Sequence, residues 1–319
     1  MIARGGKTRY TANVMIRYFV RRSRGEEFQK VTTPPPRDVW IHADLVTPDD
    51  ISFLGHKYGL DENILRDVLD ANELPRVEKK AGGMYVFVRT VQRGKHGSMV
   101  TSPVLMAVKD SVFATLSAVE TASHDLAKPN VIAHSTDPVN LLLGTFASII
   151  SDYEALMQKT AQHIHETGSR LRSHEVTNDD FIRFVTVEDN LNEYKMNLAA
   201  MLVVAERLRE EYGNGSTEAI EDILLYIRQL LVAIDSHAQS VTSIRNAYGT
   251  IANNVLNQRM KTLTVLTVLI ALPNVVYGMY GMNVGLPFQE EPWVYGVIVF
   301  FSVSIIFLVF MIGKKRGIF

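Results

Sequence analysis

The sequence has no cysteine among its 319 residues. This excludes a disulfide framework, a thiolate nucleophile and any zinc or iron–sulfur site built on sulfur ligands. Neither sign of charge is in excess: 33 Lys and Arg stand against 34 Asp and Glu, a formal net charge of −1. A nucleic-acid binder held by bulk positive charge is excluded on that ground. Glycine and proline form no rich tract, and 47% of the residues are hydrophobic, so the chain can bury a sizeable core. No P-loop, Gly-x-Ser-x-Gly, His-Glu-x-x-His or dinucleotide-binding fingerprint occurs. His163 and His165 stand two apart, on different faces of a helix, and are read as surface residues. The chain is read as no enzyme.

The absence with the most consequence is local. From Leu263 to Gly313 the only charged residues are the adjacent Glu290 and Glu291. Trp293 to Ile312 is an uncharged run of 20 residues, the length that crosses a hydrocarbon core about 30 Å thick. Trp293 and Tyr295 stand at one end and Lys314-Lys315-Arg316 at the other, as an interfacial belt and a cytoplasmic anchor require. An upstream span, from about Thr262 to Val284, is preceded by Arg259 and Lys261. The chain therefore reads as an integral membrane protein with a two-helix hairpin, both termini cytoplasmic and the loop Gly285 to Pro292 outside. A prokaryotic plasma membrane is preferred to a mitochondrial inner membrane. Residues 1 to 25 hold several bases and no acid, as a transit peptide does, but Ala12, Val14, Ile16, Tyr18 and Val20 alternate as a half-buried strand. No secretory signal peptide is visible.

Residues 1–133 mix strand and helix signals and read as an α+β or α/β cytoplasmic domain. Strands are expected at Ala12 to Val20, Val39 to Leu45, Met84 to Val91, Val104 to Val108 and Val112 to Ala118, with helical patches after Thr47-Pro48-Asp49-Asp50 and Leu60-Asp61-Glu62-Asn63. Residues 134–258 read as a helical stalk. One helix starts at Asp137-Pro138 and runs toward Arg172; a second, capped by Asn178, ends before Gly213-Asn214-Gly215. A third begins at Ser216 or Thr217 and meets no proline until Pro273. At 1.5 Å per residue it would span roughly 100 Å and continue into the membrane. Residues 259–319 form the hairpin and its basic tail.

The first span is more than an anchor. Steps of three and four from Asn257 reach Met260, Thr264, Thr267, Ala271, Asn274, Gly278 and Gly281, a stripe of mostly small or polar residues on one face. A repeat of about 3.5 residues keeps such a seam toward its partners in a left-handed bundle. Close helix packing accounts for the small residues. The asparagines point instead to water, because an intramembrane polar group is costly unless it pairs or is hydrated. One hairpin cannot enclose a water-filled path, so a pore needs several copies around an axis.

Tyr280-Gly281-Met282-Asn283 ends this span, and an acidic loop, a second span and a basic tail follow. In this setting the chain resembles the CorA family of divalent-cation channels, whose hallmark is Gly-Met-Asn. Met260-Lys261-Thr262-Leu263-Thr264 and Pro273 stand at similar spacings. Trp40 to Leu45 with Pro48, and Leu74-Pro75-Arg76-Val77-Glu78 before Tyr85-Val86-Phe87-Val88, resemble the family's cytoplasmic domain. The resemblance implies a homopentameric funnel in membrane lipid that conducts mainly magnesium, with the first span lining the pore. It implies that Gly281, Met282 and Asn283 form the selectivity site and that Asn274, Met260 and Asn257 are pore positions. Leu263 would join Met260 in an apolar constriction.

The chemistry agrees. Magnesium gives up its water reluctantly, so neutral oxygens that recognise the hydrated ion suit a channel. Glu290 and Glu291 would concentrate cations at the mouth, or are simply a solvated turn between Pro287 and Pro292. The family is regulated by magnesium bound between cytoplasmic domains. Asp222 matches one acid of that site, but the partner expected after the strand Tyr85 to Val91 is replaced by basic Gln92-Arg93-Gly94-Lys95-His96. Glu218 or Glu221 substitutes, or regulation is weaker; favourable charge in a helix's first turns also explains these acids. Two rival readings stand: a zinc, cobalt or nickel transporter of the same superfamily, and a membrane-anchored sensor or scaffold.

Overall fold

The computed structural model describes residues 15–21, 28–94, 97–121, 137–172, 178–212, 217–285, 288 and 290–315. The chain separates into two compact units, Met1–Ser243 and Ile244–Phe319.

The first unit is built on a seven-stranded sheet: β1 (Met15–Val20), β2 (Gln29–Val31), β3 (Val39–Asp44), β4 (Arg76–Lys80), β5 (Gly83–Arg93), β6 (Met99–Lys109) and β7 (Val112–Ser117). Their order is β2-β1-β3-β7-β6-β5-β4. The β3–β7 pair is parallel and the other pairs are antiparallel, so the domain is α+β. All five expected strands are present, although positions 12–14 of the first lie outside the described residues. The sequence reading missed β2 and β4. Gln29–Val31 is only three residues long, and Arg-Val-Glu-Lys-Lys looks like a solvated charge run until β5 pairs with it. Charge suits that position, because β4 is an edge and charged edges resist pairing with other chains.

Every residue of β3 and β7 is buried, so both faces of the sheet's centre are covered. One cover is α1 (Pro48–Tyr58) with α2 (Glu62–Arg66). Thr47 starts α1 with a capping box: its hydroxyl accepts from the Asp50 amide (3.3 Å) and the Asp50 carboxylate accepts from the Thr47 amide (2.8 Å). Gly59 ends it in the left-handed region at φ 66°. Ile51, Leu54, Ile64 and Leu65 then pack with Ile41, Ala43, Tyr85, Phe87 and Leu105 in one core.

Two charged residues fasten this layer. Arg76, in the Leu-Pro-Arg-Val-Glu segment, pairs with Asp67 (2.6 Å), Glu73 and Glu78 (3.4 Å) and stacks over the Phe87 ring, 4.2 Å from its centroid. Arg89 is only 8% exposed, and its guanidinium donates to the carbonyls of Ala71 (3.0 Å), Glu73 (2.8 Å) and Thr101 (3.0 Å). A buried cation is tolerated when its donors are matched in this way.

The expected long helices are all present: α3 (Pro138–Arg172), α4 (Asn178–Tyr212), α5 (Thr217–Tyr280) and α6 (Trp293–Lys315). Helix α3 packs on β5, β6 and β7, and α4 on β4 and β5. The Tyr153 hydroxyl of α3 donates to the Arg89 carbonyl (3.1 Å). Ion pairs Arg209–Glu221 (3.6 Å), Arg228–Glu206 (3.3 Å) and Lys195–Asp235 (2.7 Å) set the first half of α5 antiparallel to α4. Helix α5 has 64 residues, roughly 100 Å at 1.5 Å each, and belongs to both units.

Candidate functional site

In the unit Ile244–Phe319, α5 and α6 each carry a stretch long and apolar enough to cross a membrane, and only 6% and 11% of those stretches are buried. A core helix of a soluble protein would be mostly covered. Between Arg259 and Tyr280 the residues that are not fully exposed are Val265, Leu269, Pro273 and Val276. Their steps of four, four and three place them on one face. On α6, Val294, Ile298, Ser302, Ile305 and Val309 recur in the same manner. These faces are the hairpin's seam, since α5 and α6 are the helices of this unit.

The small and polar stripe lies on the other side. At about 100° per residue, Met260, Thr264, Thr267, Ala271, Asn274 and Gly278 fall roughly opposite the seam, with Asn257, Leu263 and Gly281 at the stripe's margins. All nine are exposed. The hairpin thus buries an aliphatic face and leaves its polar face bare. Thr264 and Thr267 donate their hydroxyl protons to the Met260 (2.8 Å) and Leu263 (2.9 Å) carbonyls, which leaves their oxygens as outward acceptors. The amides of Asn257 and Asn274 make no hydrogen bond among the described residues. A Cβ at Gly278 would meet nothing within 4 Å, so contacts inside one chain do not require a glycine there.

The first span was expected to reach Val284, but α5 ends at Tyr280. Gly281 and Met282 turn out of the helix, their amides donating to the Tyr277 (3.0 Å) and Met279 (3.3 Å) carbonyls. Gly281-Met282-Asn283 therefore sits in a turn at a helix C-terminus, where backbone carbonyls lack intrahelical partners and the helix dipole is negative. The Asn283 amide is exposed and makes no hydrogen bond among the described residues. Beyond the turn, Glu290 and Glu291 are exposed, the Glu291 amide bonds to the Phe288 carbonyl (3.1 Å), and the Phe288 and Trp293 rings stand 5.7 Å apart. Neutral and acidic oxygens therefore stand at this end of the hairpin with no base between Lys261 and Lys314.

The cytoplasmic acids are less organised. Glu218, Glu221 and Asp222 are exposed in the first turns of α5, and Glu221 is paired with Arg209. Among the described residues no group of three His, Cys, Asp or Glu side chains is placed to hold a metal. The basic segment after β5 puts Arg93 at the strand's exposed end, while Lys95 and His96 lie outside the described residues. Sequence reasoning missed a cavity that Arg93 shares with residues of α3 and α4; no local motif announces it, because its members are far apart in the chain.

A sheet-containing body, a long helix that enters the first of two apolar spans and an oxygen-rich turn where that span ends define a two-span membrane transport protein. The chain belongs to the CorA-like Mg2+ transporter protein family, whose model matches residues 38–315. It is 22% identical over 293 residues to the cobalt/magnesium transport protein CorA of Methanocaldococcus jannaschii, covering 88% of this chain and 91% of that protein. The complete structure of the CorA magnesium transporter from the same organism matches with a TM-score of 0.80 at 20% identity, over 97% of this chain and 100% of that one. The full-length CmaX structure matches at 0.68 and 16% identity, over 93% and 97%. The ZntB cytoplasmic domain from Vibrio parahaemolyticus matches at 0.61 and 10% identity, over 76% and 99%. At these identities the likenesses establish the fold.

Proposed function

We propose that the chain is a magnesium channel that assembles as a homopentamer in the membrane, with both termini cytoplasmic, and conducts the ion passively down its electrochemical gradient. The observation that carries this reading is the bare polar face of α5, opposite the seam that α6 covers. In a lone hairpin that face would put Asn274 toward hydrocarbon, which is costly. Around a fivefold axis it lines a hydrated path. Gly281, Met282 and Asn283 form the outer selectivity turn, where five Asn283 amides and neighbouring carbonyls accept hydrogen bonds from water on the ion. Thr264, Thr267, Ala271, Asn274 and Gly278 continue the lining, and Met260 and Leu263 close it by dewetting on the cytoplasmic side. Glu290 and Glu291 raise the local cation concentration at the mouth. Cytoplasmic magnesium holds the channel shut through Asp222, with Glu218 or Glu221 in support.

A second reading, transport of cobalt alongside magnesium, is favoured by the name of the Methanocaldococcus relative, a cobalt/magnesium transport protein. Flux into liposomes that contain only this protein tests both. Magnesium uptake is expected, with competition by cobalt and nickel. An intact pentamer that passes no magnesium would overturn the channel, and zinc flux alone would move the protein to another branch of the superfamily.

A further inference from the structure

The first unit contains a cavity of about 580 Å³ where the β5–β6 hairpin meets α3 and α4, within the size range of small-molecule sites. Its wall carries Arg93 from the end of β5, Lys159 and His163 from α3, and Arg183 from α4. No carboxylate is among the described residues that line it. Arg93, Lys159 and Arg183 are exposed and make no ion pair or hydrogen bond through their side chains among the described residues.

The polar floor is fixed. Asn190, 6% exposed, accepts from the Met99 amide (2.9 Å) and donates to the Gly97 carbonyl (3.0 Å), pinning the hairpin tip to α4. Gly97 sits at φ 82°, which a side chain would strain. Thr160, 7% exposed, donates to the Leu156 carbonyl (3.0 Å). A second lysine-lined hollow in the same unit differs in the decisive respect: Lys79 is paired with Glu211, Lys80 with Asp61 (3.0 Å), and Lys109 with the Gly59 carbonyl.

Converging cations cost electrostatic energy unless something offsets them. Three without side-chain partners among the described residues, on three separate elements around a fixed concavity, match an anion with several oxygens. Arginine presents a planar fork suited to phosphate, and lysine a point charge. We propose that this cavity binds a small phosphate-bearing anion. It stands where the family resemblance would have placed an acid of a cation site, so the cytoplasmic domain here receives an anion through the same segment.

Calorimetric titration of the full-length protein in detergent, with inorganic pyrophosphate and separately with ATP, both free of magnesium, tests this without reference to ion flux. It therefore fails or succeeds independently of the channel reading. Saturable binding of both anions is expected, about tenfold weaker in each of Lys159→Ala and Arg183→Ala, the loss of one charge-assisted hydrogen bond, and weaker again at high salt. Thermal unfolding like that of the wild type keeps a folding defect from being read as lost binding; if Arg183→Ala unfolds, Arg183→Gln replaces it. No saturation by either anion below about 1 mM, affinity unchanged in both variants, or binding of ATP but not of pyrophosphate would overturn the proposal. So would loss of the oligomer in Arg183→Glu without pyrophosphate binding to the wild type, which assigns the cavity to an acidic surface of a second copy.

Discussion

His42 Nε2 lies 3.1 Å from Asp44 Oδ2, and both side chains are buried on β3. The same oxygen accepts from Arg17 (3.0 Å), and Oδ1 accepts from the Thr121 hydroxyl (2.6 Å) and amide (3.3 Å). Burial alone would raise the Asp44 carboxyl, but hydrogen bonds from His42 and Thr121 and the His42 charge outweigh it and hold the group at about 2. The folded value lies below the unfolded one of about 3.9. The carboxylate's stabilisation is thus complete above about pH 4 and is lost as pH falls toward 2. Asp44→Asn should cost about 2–4 kcal/mol at pH 7, because Arg17 and His42 lose their acceptor, and should flatten the acid limb between pH 4 and 2. Melting temperatures of the full chain across pH check both; equal melting at pH 7 with an unchanged acid limb would remove Asp44 from the stabilising network.

The turn after α5 leads to a second expectation. Asn283 is exposed, without a partner among the described residues, so removing its amide leaves nothing unsatisfied within one chain. Asn283→Ala should leave assembly and melting within about 0.5 kcal/mol of wild type while magnesium selectivity over monovalent ions falls by about tenfold or more. That is the scale of losing hydrogen bonds to a hydrated ion. Size-exclusion chromatography and liposome flux separate the two effects. Selectivity equal to wild type would take Asn283 out of the filter.

The physics of each element decides how much of this was legible in the sequence. The apolar, alternating runs of β1, β3, β5, β6 and β7 announce themselves because each strand is covered on at least one face. Arg76–Lys80 does not, since an edge strand takes its register from its neighbour, and here Val77 pairs with Val86. The hairpin is visible in the lack of charge, and the polar stripe in its spacing. What opposes the stripe is not visible: Val265, Leu269 and Val276 look like their aliphatic neighbours until α6 covers them. The end of α5 was misplaced by a few residues for a related reason. Hydropathy continues through Val284, whereas the backbone turns at Gly281. The basic cavity had no sequence signal, because Arg93, Lys159 and Arg183 meet only through tertiary packing.

A third expectation concerns the constriction. Met260 and Leu263 are exposed large apolar residues, 56% and 59% in one chain, on or beside the polar stripe. A dry ring of such side chains stops ions because water leaves it. Met260→Gly removes the ring's bulk at a helix cost of about 1 kcal/mol, small enough for assembly to survive. Leak at high internal magnesium should rise several-fold, while Met260→Leu, which keeps the bulk, should stay near wild type. A Met260→Gly current identical to wild type would place the gate elsewhere along α5.

The last expectation separates regulation from local helix chemistry. Glu218 stands in the first turn of α5, where the helix dipole favours a carboxylate, and Glu221 and Asp222 follow in the second. Glu221 already has a partner in Arg209, whereas Asp222 is exposed with none among the described residues. If magnesium bridges subunits through Asp222, the ion should protect the cytoplasmic unit from proteolysis. Asp222→Ala should then raise the magnesium concentration that protects by about tenfold, the loss of one charged ligand. The dipole alone requires something else: Glu218→Ala would lower helix stability by about 0.3–1 kcal/mol and Asp222→Ala by less, with no change in the protecting concentration. Limited proteolysis over a magnesium series, set beside melting of the same variants, distinguishes these outcomes. Equal protection in wild type and Asp222→Ala would assign the sensor to other residues.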